Sequence, residues 1–400
     1  MPAHATGFDL PDQDAFVIGR GMAFAATADN PSAVYYNPAG ITQLPGHHVR
    51  GGVYGLYIQS SYESPAGVSY DNSKDLHAVP QLFYTYGPES LPLSFGLGLF
   101  SPFGLHSVWP DDTGFRTLGT EGKLTYYTIN PVVAWRIRPN LSLAAGFTAN
   151  FADVDMARGL VWPVQPYDEF RFEGDGWDVG YNVGVLWQPV EKISLGGTFR
   201  STTRVDLEGQ TRFYNLAEIP GMLPAFPAQH LDAEAGFPFP WKMIVGLSYR
   251  PTPQWNLEFN ADLTGWDEMG TVVVRQATAF PPLVPQDIPL VFEWEPSWYY
   301  EFGATHYLAK GWSVSAGYIF NENSVPDANY MPLVADLDRH FVSVGAGYQS
   351  KRLRIDLSYQ FGYGPQRTVS GSAPSATGQS ADGKYEFFSH ALALTGQWSF

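Results

Sequence analysis

The sequence predicts an all-β fold: a 14-stranded antiparallel transmembrane β-barrel that follows a short N-terminal hatch. Apolar and polar side chains alternate along nearly every segment after residue 46. Aromatic residues make up 16% of the chain, and charged residues make up only 16%, against about a quarter in ordinary proteins. No run of about 18 apolar residues occurs, so no transmembrane helix is predicted. This composition fits a soluble β-protein or a barrel whose apolar surface lies in alternating positions.

Charge and cysteine content exclude several classes of function. The formal net charge of −16 is opposite to the basic face that nucleic acid requires. The chain has no cysteine, which excludes disulfides, thiol catalysis and cysteine-ligated metals. It also contains no Gly-x-Ser-x-Gly, phosphate-loop or His-Glu-x-x-His element. We therefore predict no catalytic site, no metal and no cofactor.

We interpret the start of the chain as the remnant of a processing signal. Ala3-His4-Ala5 has the small-x-small form of a signal-peptidase site. We expect residues 1–5 to be the remnant and the mature chain to begin near Ala5 or Thr6. The alternative is that these alanines are a chance feature of a flexible terminus.

Two Asn-Pro pairs define the next stretch, which ends before the first predicted strand. Asn30-Pro31 and Asn37-Pro38 lie seven residues apart among small residues. Proline lacks an N–H group and pushes the preceding residue out of the helical region. We expect a compact kinked coil, and we divide the chain into a hatch at residues 6–46 and a barrel at residues 47–400.

Each predicted strand has one long apolar face. Trp255, Leu257 and Phe259 share a face, for example, opposite Asn256 and Glu258. The apolar faces often begin or end in Trp or Tyr, which is typical of lipid-facing strands with interfacial aromatic girdles and a polar lumen. Charges inside a small sealed sandwich core would be costly, which disfavours the soluble alternative.

The predicted strands and their connections follow the pattern of an outer-membrane barrel. The 14 segments are 48–60, 75–87, 91–101, 122–138, 139–155, 169–188, 191–207, 236–250, 253–266, 289–308, 311–321, 338–349, 352–364 and 384–400. Six short turns alternate with seven long loops, as an even-stranded barrel with short periplasmic turns requires. Trp398 and Phe400 end the last strand on one face, which resembles a signal for the outer-membrane assembly machinery.

At this point the residues resemble a known family. The N-terminal motifs are Thr6-Gly7-Phe8-Asp9-Leu10, Gly19-Arg20-Gly21-Met22-Ala23 and Asn37-Pro38-Ala39-Gly40. The later motifs are Ser101-Pro102-Phe103-Gly104-Leu105, Ser324-Val325-Pro326-Asp327 and Asp336-Leu337-Asp338-Arg339-His340-Phe341. In sequence and spacing they resemble FadL-type outer-membrane transporters along essentially the whole chain.

The resemblance implies passive uptake of hydrophobic compounds across the bacterial outer membrane. The ligand would be a long-chain fatty acid, a detergent or a neutral aromatic or alkane hydrocarbon. It would be captured at external loops, pass to a lumen pocket beside the N-terminus and leave sideways where the third strand kinks. Such a protein is expected to be a monomer in contact with outer-membrane lipids and lipopolysaccharide. An outer-membrane lipid-modifying enzyme and a structural barrel are the competing classes.

The predicted lateral opening lies at Ser101, Pro102, Phe103 and Gly104. A gap in the wall needs a strand that breaks its pairing, and glycine and proline do this. A glycine-rich strand that simply runs into a loop is the alternative. We also expect Asn37, Pro38 and Ala39 to face this kink and to gate the exit.

External capture is predicted for two apolar loops. The loop 208–237 carries Ile219, Met222, Leu223 and Phe226, and the loop 156–168 carries Met156, Leu160 and Trp162. Exposed apolar patches commonly mark binding sites. The alternative is that these side chains only pack the loops against each other.

The lumen pocket is predicted to involve Phe8, Leu10 and Arg158. Arg158 lies where fatty-acid-transporting relatives place a basic residue that can pair with a carboxylate; the alternative is an arginine bonded to loop acids. A second basic position of the family is replaced here by Phe292-Glu293-Trp294-Glu295-Pro296. These acids would repel a carboxylate, which favours a neutral hydrocarbon. Divalent cation binding at Asp111-Asp112 is left open.

Overall fold

The computed structural model describes residues 7–160, 168–213, 228–279 and 284–400. Their strands form a closed antiparallel barrel of 14 strands, as the sequence predicts. The first strand pairs with the last from His48 opposite Ser399 to Glu63 opposite Lys384, which closes the wall. A closed barrel leaves no sheet edge facing lipid.

Five of the barrel strands are interrupted, and each of these consists of two parts. The strands are β1 Gly46–Glu63, β2 Leu76–Gly87, β3 Leu93–Phe100 and Gly104–Val108, β4 Glu121–Arg138, β5 Leu141–Gly159, β6 Glu169–Val190, β7 Ile193–Arg200 and Thr203–Phe213, β8 Gln229–Phe239 and Lys242–Tyr249, β9 Trp255–Thr264 and Thr271–Gln276, β10 Asp287–Val291 and Ser297–Tyr307, β11 Trp312–Asn321, β12 Arg339–Gln349, β13 Leu353–Val369 and β14 Gly383–Ser399. A short segment, Ser69–Asp71, pairs with the end of β1 in the first long loop.

The alternation seen in the sequence corresponds to an apolar outside and a polar inside. Val245 and Trp312 are more than half exposed on the outer surface, at 55% and 52%. Asn256 and Asp262, which point into the barrel, are at most 1% exposed. The period-two pattern therefore separates lipid-facing from lumen-facing side chains as expected.

Several strands extend further than the sequence indicated. β5 continues to Gly159, where Arg158 lies opposite Phe170 of β6, so Met156 and Arg158 lie in a strand and not in a loop. The predicted boundary was wrong because apolar residues at the strand end were interpreted as an exposed loop. Trp162, Ile219, Met222, Leu223 and Phe226 lie outside the described residues.

Residues 7–45 form an N-terminal segment of coil and short helices inside the barrel. Its helices are α1 Ala15–Ile18, α2 Ala33–Tyr36 and the 3-10 turn Pro38–Gln43. The Asp14 carboxylate caps α1 by accepting from the amides of Phe16 and Val17. No helix in the described ranges is long and apolar enough to cross a membrane.

Hydrogen bonds join this segment to strands on several sides of the barrel, which places it in the lumen. The Ala15 amide donates to Thr395 of β14 at 2.9 Å, and the Gly21 amide donates to Ser343 of β12 at 3.1 Å. The Thr42 and Ser142 hydroxyls, the latter from β5, are 2.8 Å apart.

Buried ion pairs hold the same segment toward the short-turn end of the barrel. Arg50 of β1 donates from Nη2 to Asp14 at 2.7 Å and to Asp356 of β13 at 2.8 Å. Arg20 donates to Glu258 of β9 at 3.3 Å. Leaving one such ion without its partner costs about 3–5 kcal/mol, so these pairs fix where the segment sits.

Candidate ligand cavity and wall opening

The interruption of β3 is the first feature of the site. The strand stops at Phe100 and resumes at Gly104, at the glycine- and proline-rich position that the sequence indicated. The N-terminal segment pairs with the exposed backbone: the Leu10 amide donates to the Pro102 carbonyl at 2.8 Å, and the Gly104 amide donates to the Phe8 carbonyl at 3.0 Å. Backbone groups in a membrane wall need partners, and Phe8 and Leu10 supply them.

The wall is open between β2 and β3 next to this interruption. The two strands pair only from Leu82 opposite Leu99 to Tyr86 opposite Phe95. Among the described residues, 76–81 pair with β1 and not with β3, while 104–108 pair only with β4. One hydrogen bond, from the Ser73 amide to the Val108 carbonyl at 2.8 Å, joins the two sides again at the long-loop end.

A cavity of about 450 Å³ reaches this opening from the lumen. Phe8 and Leu10, which the sequence analysis assigned to the lumen pocket, line this cavity from inside. Ala78 and Pro80 of β2 and Tyr127 of β4 also line it, although all three are exposed on the outer surface of the barrel. The volume is in the range of small-molecule sites. The cavity therefore passes through the wall.

Phe8 is held in a cage of aromatic rings. Its ring centroid lies 4.9–6.1 Å from five others, those of Phe103, Phe237, Phe239, Trp266 and Trp294. Gly7 precedes it with a φ of +53°, and a Cβ atom there would lie 2.8 Å from both Trp266 and Trp294. Glycine is thus required for the chain to enter the cage.

A buried charge cluster fixes Asp9, between the two cavity residues. Lys242 of β8 lies 2.6 Å from Asp9 and 3.0 Å from Asp262 of β9, and the Tyr299 hydroxyl donates to Asp9 at 3.1 Å. This cluster was not predicted from the sequence. The one available signal was a lysine on the polar face of a strand, and nothing in the sequence pointed from it to Asp9.

Two further charged groups in the cavity lining were not predicted as ligand contacts. The Arg339 guanidinium lies over the Phe387 ring at 4.1 Å from its centroid. Asp12 is half-buried, and one of its carboxyl oxygens has no hydrogen-bond partner. Burial raises the pKa of Asp12 to about 7, against the opposing hydrogen bond from Gln360.

Arg158, Met156 and Leu160 lie apart from the cavity lining. The Arg158 guanidinium is 5.5 Å from the centroid of the Phe170 ring. Met156 and Leu160 are partly buried and pack against the aromatic cluster that contains Phe8. Arg158, which the sequence analysis assigned to the lumen pocket, therefore does not line this cavity, because its guanidinium packs against the Phe170 ring of the neighbouring strand.

Asn37 and Pro38 also lie elsewhere than expected. The Asn37 side chain donates to the Val185 carbonyl of β6 at 2.9 Å, and a Cβ atom on Gly184 would approach both Asn37 and Pro38 within 3 Å. The Ala39 amide donates back to the Asn37 side chain at 3.2 Å. Gly184 leaves room for the Asn-Pro pair at β6, whereas Phe8, Leu10 and Gln13 bond to residues 101–104 at the interruption of β3.

A closed 14-stranded barrel with a buried N-terminal segment and a cavity that opens through the wall is typical of transport barrels of the bacterial outer membrane. The chain belongs to the outer membrane protein transport protein family (OMPP1/FadL/TodX), whose model matches residues 1–400.

Individual relatives are distant in sequence and similar in fold. The long-chain fatty acid transport protein of Escherichia coli K12 is 22% identical over 434 residues, which cover 98% of this chain and 93% of the relative. The crystal structure of a Pseudomonas aeruginosa FadL homologue has a TM-score of 0.84 at 18% identity, covering 99% of this chain and 100% of that one. The Pseudomonas putida toluene transporter TodX has a TM-score of 0.77 at 17% identity, covering 99% and 100%.

Removing the Lys242 charge is expected to release the start of the N-terminal segment. Lys242→Met leaves Asp9 and Asp262 buried without their cation, a change that costs about 3–5 kcal/mol for a buried pair. Hydrogen exchange of the Leu10 amide should become faster by orders of magnitude. The matched control is Arg250→Met, whose half-exposed pair with Asp29 contributes less than about 1 kcal/mol. Unchanged protection of Leu10 in Lys242→Met would contradict the anchoring role.

Binding of a neutral ligand is expected to weaken as Asp12 ionises. Because its pKa is raised to about 7, Asp12 is neutral in mildly acidic solution and charged above that pH. A charge in the lining disfavours an apolar neighbour, so the affinity for a neutral fluorescent hydrocarbon should fall between about pH 6 and pH 8. Asp12→Asn should show a smaller change of affinity over this range than the unmodified protein. Equal pH dependence in both proteins would exclude this role for Asp12.

Proposed function

We propose that this protein takes up hydrophobic small molecules passively, with entry from the outside, binding in the wall cavity and exit into the membrane between β2 and β3. The observation that carries the proposal is the cavity lining, which includes the lumen residues Phe8 and Leu10 and the outward-facing Tyr127. A ligand in this cavity has a continuous route between lumen and lipid.

The physical chemistry of the ligand supports a sideways exit. An apolar molecule gains nothing by entering the water of the periplasm. The N-terminal segment occupies the lumen toward the short-turn end, where Phe16, Ile18 and Tyr36 belong to a second hydrophobic cluster and are nearly inaccessible to solvent. The opening in the wall leads instead to the hydrocarbon interior of the membrane.

The substrates we propose are long-chain fatty acids and neutral aromatic or alkane hydrocarbons. One relative is a long-chain fatty acid transport protein, and one fold neighbour is a toluene transporter. The lining is largely apolar, and it includes two cationic side chains, Arg339 and Lys123, that suit a carboxylate. Comparing a fatty acid with an alkane of equal length in the same uptake assay distinguishes the two classes.

The remaining assignments complete this proposal. Residues 6–46 act as the hatch of a barrel formed by residues 47–400, and residues 101–104 frame the lateral exit. Met156 and Leu160, which lie at the long-loop end of β5, contribute to capture on the outside. The protein works as a monomer among outer-membrane lipids and lipopolysaccharide, after insertion by the assembly machinery.

Filling the cavity tests the route. Val79→Trp places a large ring in the lining at the edge of the opening, and we expect it to abolish most uptake of radiolabelled oleate and hexadecane by cells that carry no other transporter of this kind. Val53→Trp is the matched control, because Val53 is 42% exposed on the outer surface of β1 and is absent from the cavity lining. Uptake by Val79→Trp equal to that of Val53→Trp would refute the proposed route.

A further inference from the structure

We propose that His77 and His106 are the gate that narrows the wall opening, and that the opening becomes wide enough for a ligand to leave only when their two imidazole rings separate. This inference rests on the proposed exit between β2 and β3. It assigns to two particular side chains the step that controls that exit.

The two histidines come from opposite edges of the opening. His77 belongs to the part of β2 that pairs only with β1, and it lies opposite the buried Leu56. His106 belongs to the part of β3 that pairs only with β4, and it lies opposite Lys123, which is exposed on the outside. The His77 side chain therefore leaves its strand on the lumen side, and the His106 side chain leaves its strand on the outer side.

The rings meet across the opening. Their centroids are 5.0 Å apart with an interplanar angle of 73°, which is an edge-to-face contact. Both residues line the cavity that holds Phe8 and Leu10. The Asp75 carboxylate, 3.5 Å from Nδ1 of His106, lies beside the ring at the long-loop side.

A side-chain contact is suited to opening and closing, whereas the surrounding sheet is not. The opening is bounded on one side by the paired residues Leu82 and Leu99 and on the other by the Ser73–Val108 hydrogen bond. These backbone bonds keep the two strands at a fixed separation. An edge-to-face ring pair is worth much less than a row of backbone hydrogen bonds, so the rings can part and close again while the barrel stays intact.

Cross-linking tests the gate directly, because the chain has no cysteine and two introduced thiols are unique. In His77→Cys/His106→Cys, a short bis-methanethiosulfonate reagent should join the two positions. Uptake of hexadecane by the cross-linked protein should be lost and should return when the link is reduced. Leu82→Cys/Leu99→Cys is the matched control, because these lipid-facing residues already lie opposite each other in paired strands.

The cross-link tests closure of the gate, and truncating the two rings tests its opening. His77→Ala/His106→Ala removes the contact, and uptake should accelerate roughly two- to tenfold, the factor that corresponds to losing one aromatic pair. His390→Ala is the control. His390 contacts Tyr359 on the outer surface of the barrel and does not line the cavity. Its uptake should equal that of the unmodified protein.

The outcomes separate this inference from the proposed function. If cells with the unmodified protein take up no more hexadecane than cells without it, the proposed function fails. If the unmodified protein transports and the cross-linked histidine positions transport equally fast, the gate is refuted while transport stands. Failure of the reagent to join the two thiols, or slower uptake by the alanine variant, would also contradict the gate.

Discussion

The pairing of the N-terminal segment with the interruption of β3 is the interaction on which the site depends. A membrane wall tolerates a broken strand only if its freed backbone groups find other partners. Phe8 and Leu10 supply these partners through two hydrogen bonds to residues 102 and 104. Because the segment bonds from inside, the outer side of the break stays open, and the cavity and the wall opening both follow from that geometry.

Charge and aromatic packing keep this pairing in place. Asp9 lies between the two bonded residues and is held by Lys242, while Phe8 is enclosed by five rings. Farther along the segment, Asp14 and Arg20 are bonded to β1 and β9. The segment is thus fixed by its own charges at several points, and its first described residues form a wall of the cavity. A change in any of these contacts acts on the cavity through the position of Phe8 to Leu10.

The sequence predicted the parts of the structure that depend on local pattern. Alternation located the 14 strands, and the glycines and prolines near Ser101 located the break in β3. The sequence did not predict contacts between residues that are distant from each other in the chain. The ion pair of Asp9 with Lys242 spans 233 residues, and no periodicity connects the two. Asn37 and Pro38 were assigned to the break because of their unusual local sequence, but Gly184 of β6 provides the space they fill. His77 and His106 became neighbours only through the arrangement of the strands.

A crystal structure of the protein with a brominated long-chain alkane would test the route most directly, because bromine can be located by its anomalous signal. A lateral route predicts bromine peaks in the cavity beside Phe8 and Leu10 and at the wall opening near His77 and His106. It would be contradicted by peaks confined to the polar recess at the short-turn end, which Asp29, Arg250 and Arg352 line, with none in the wall cavity.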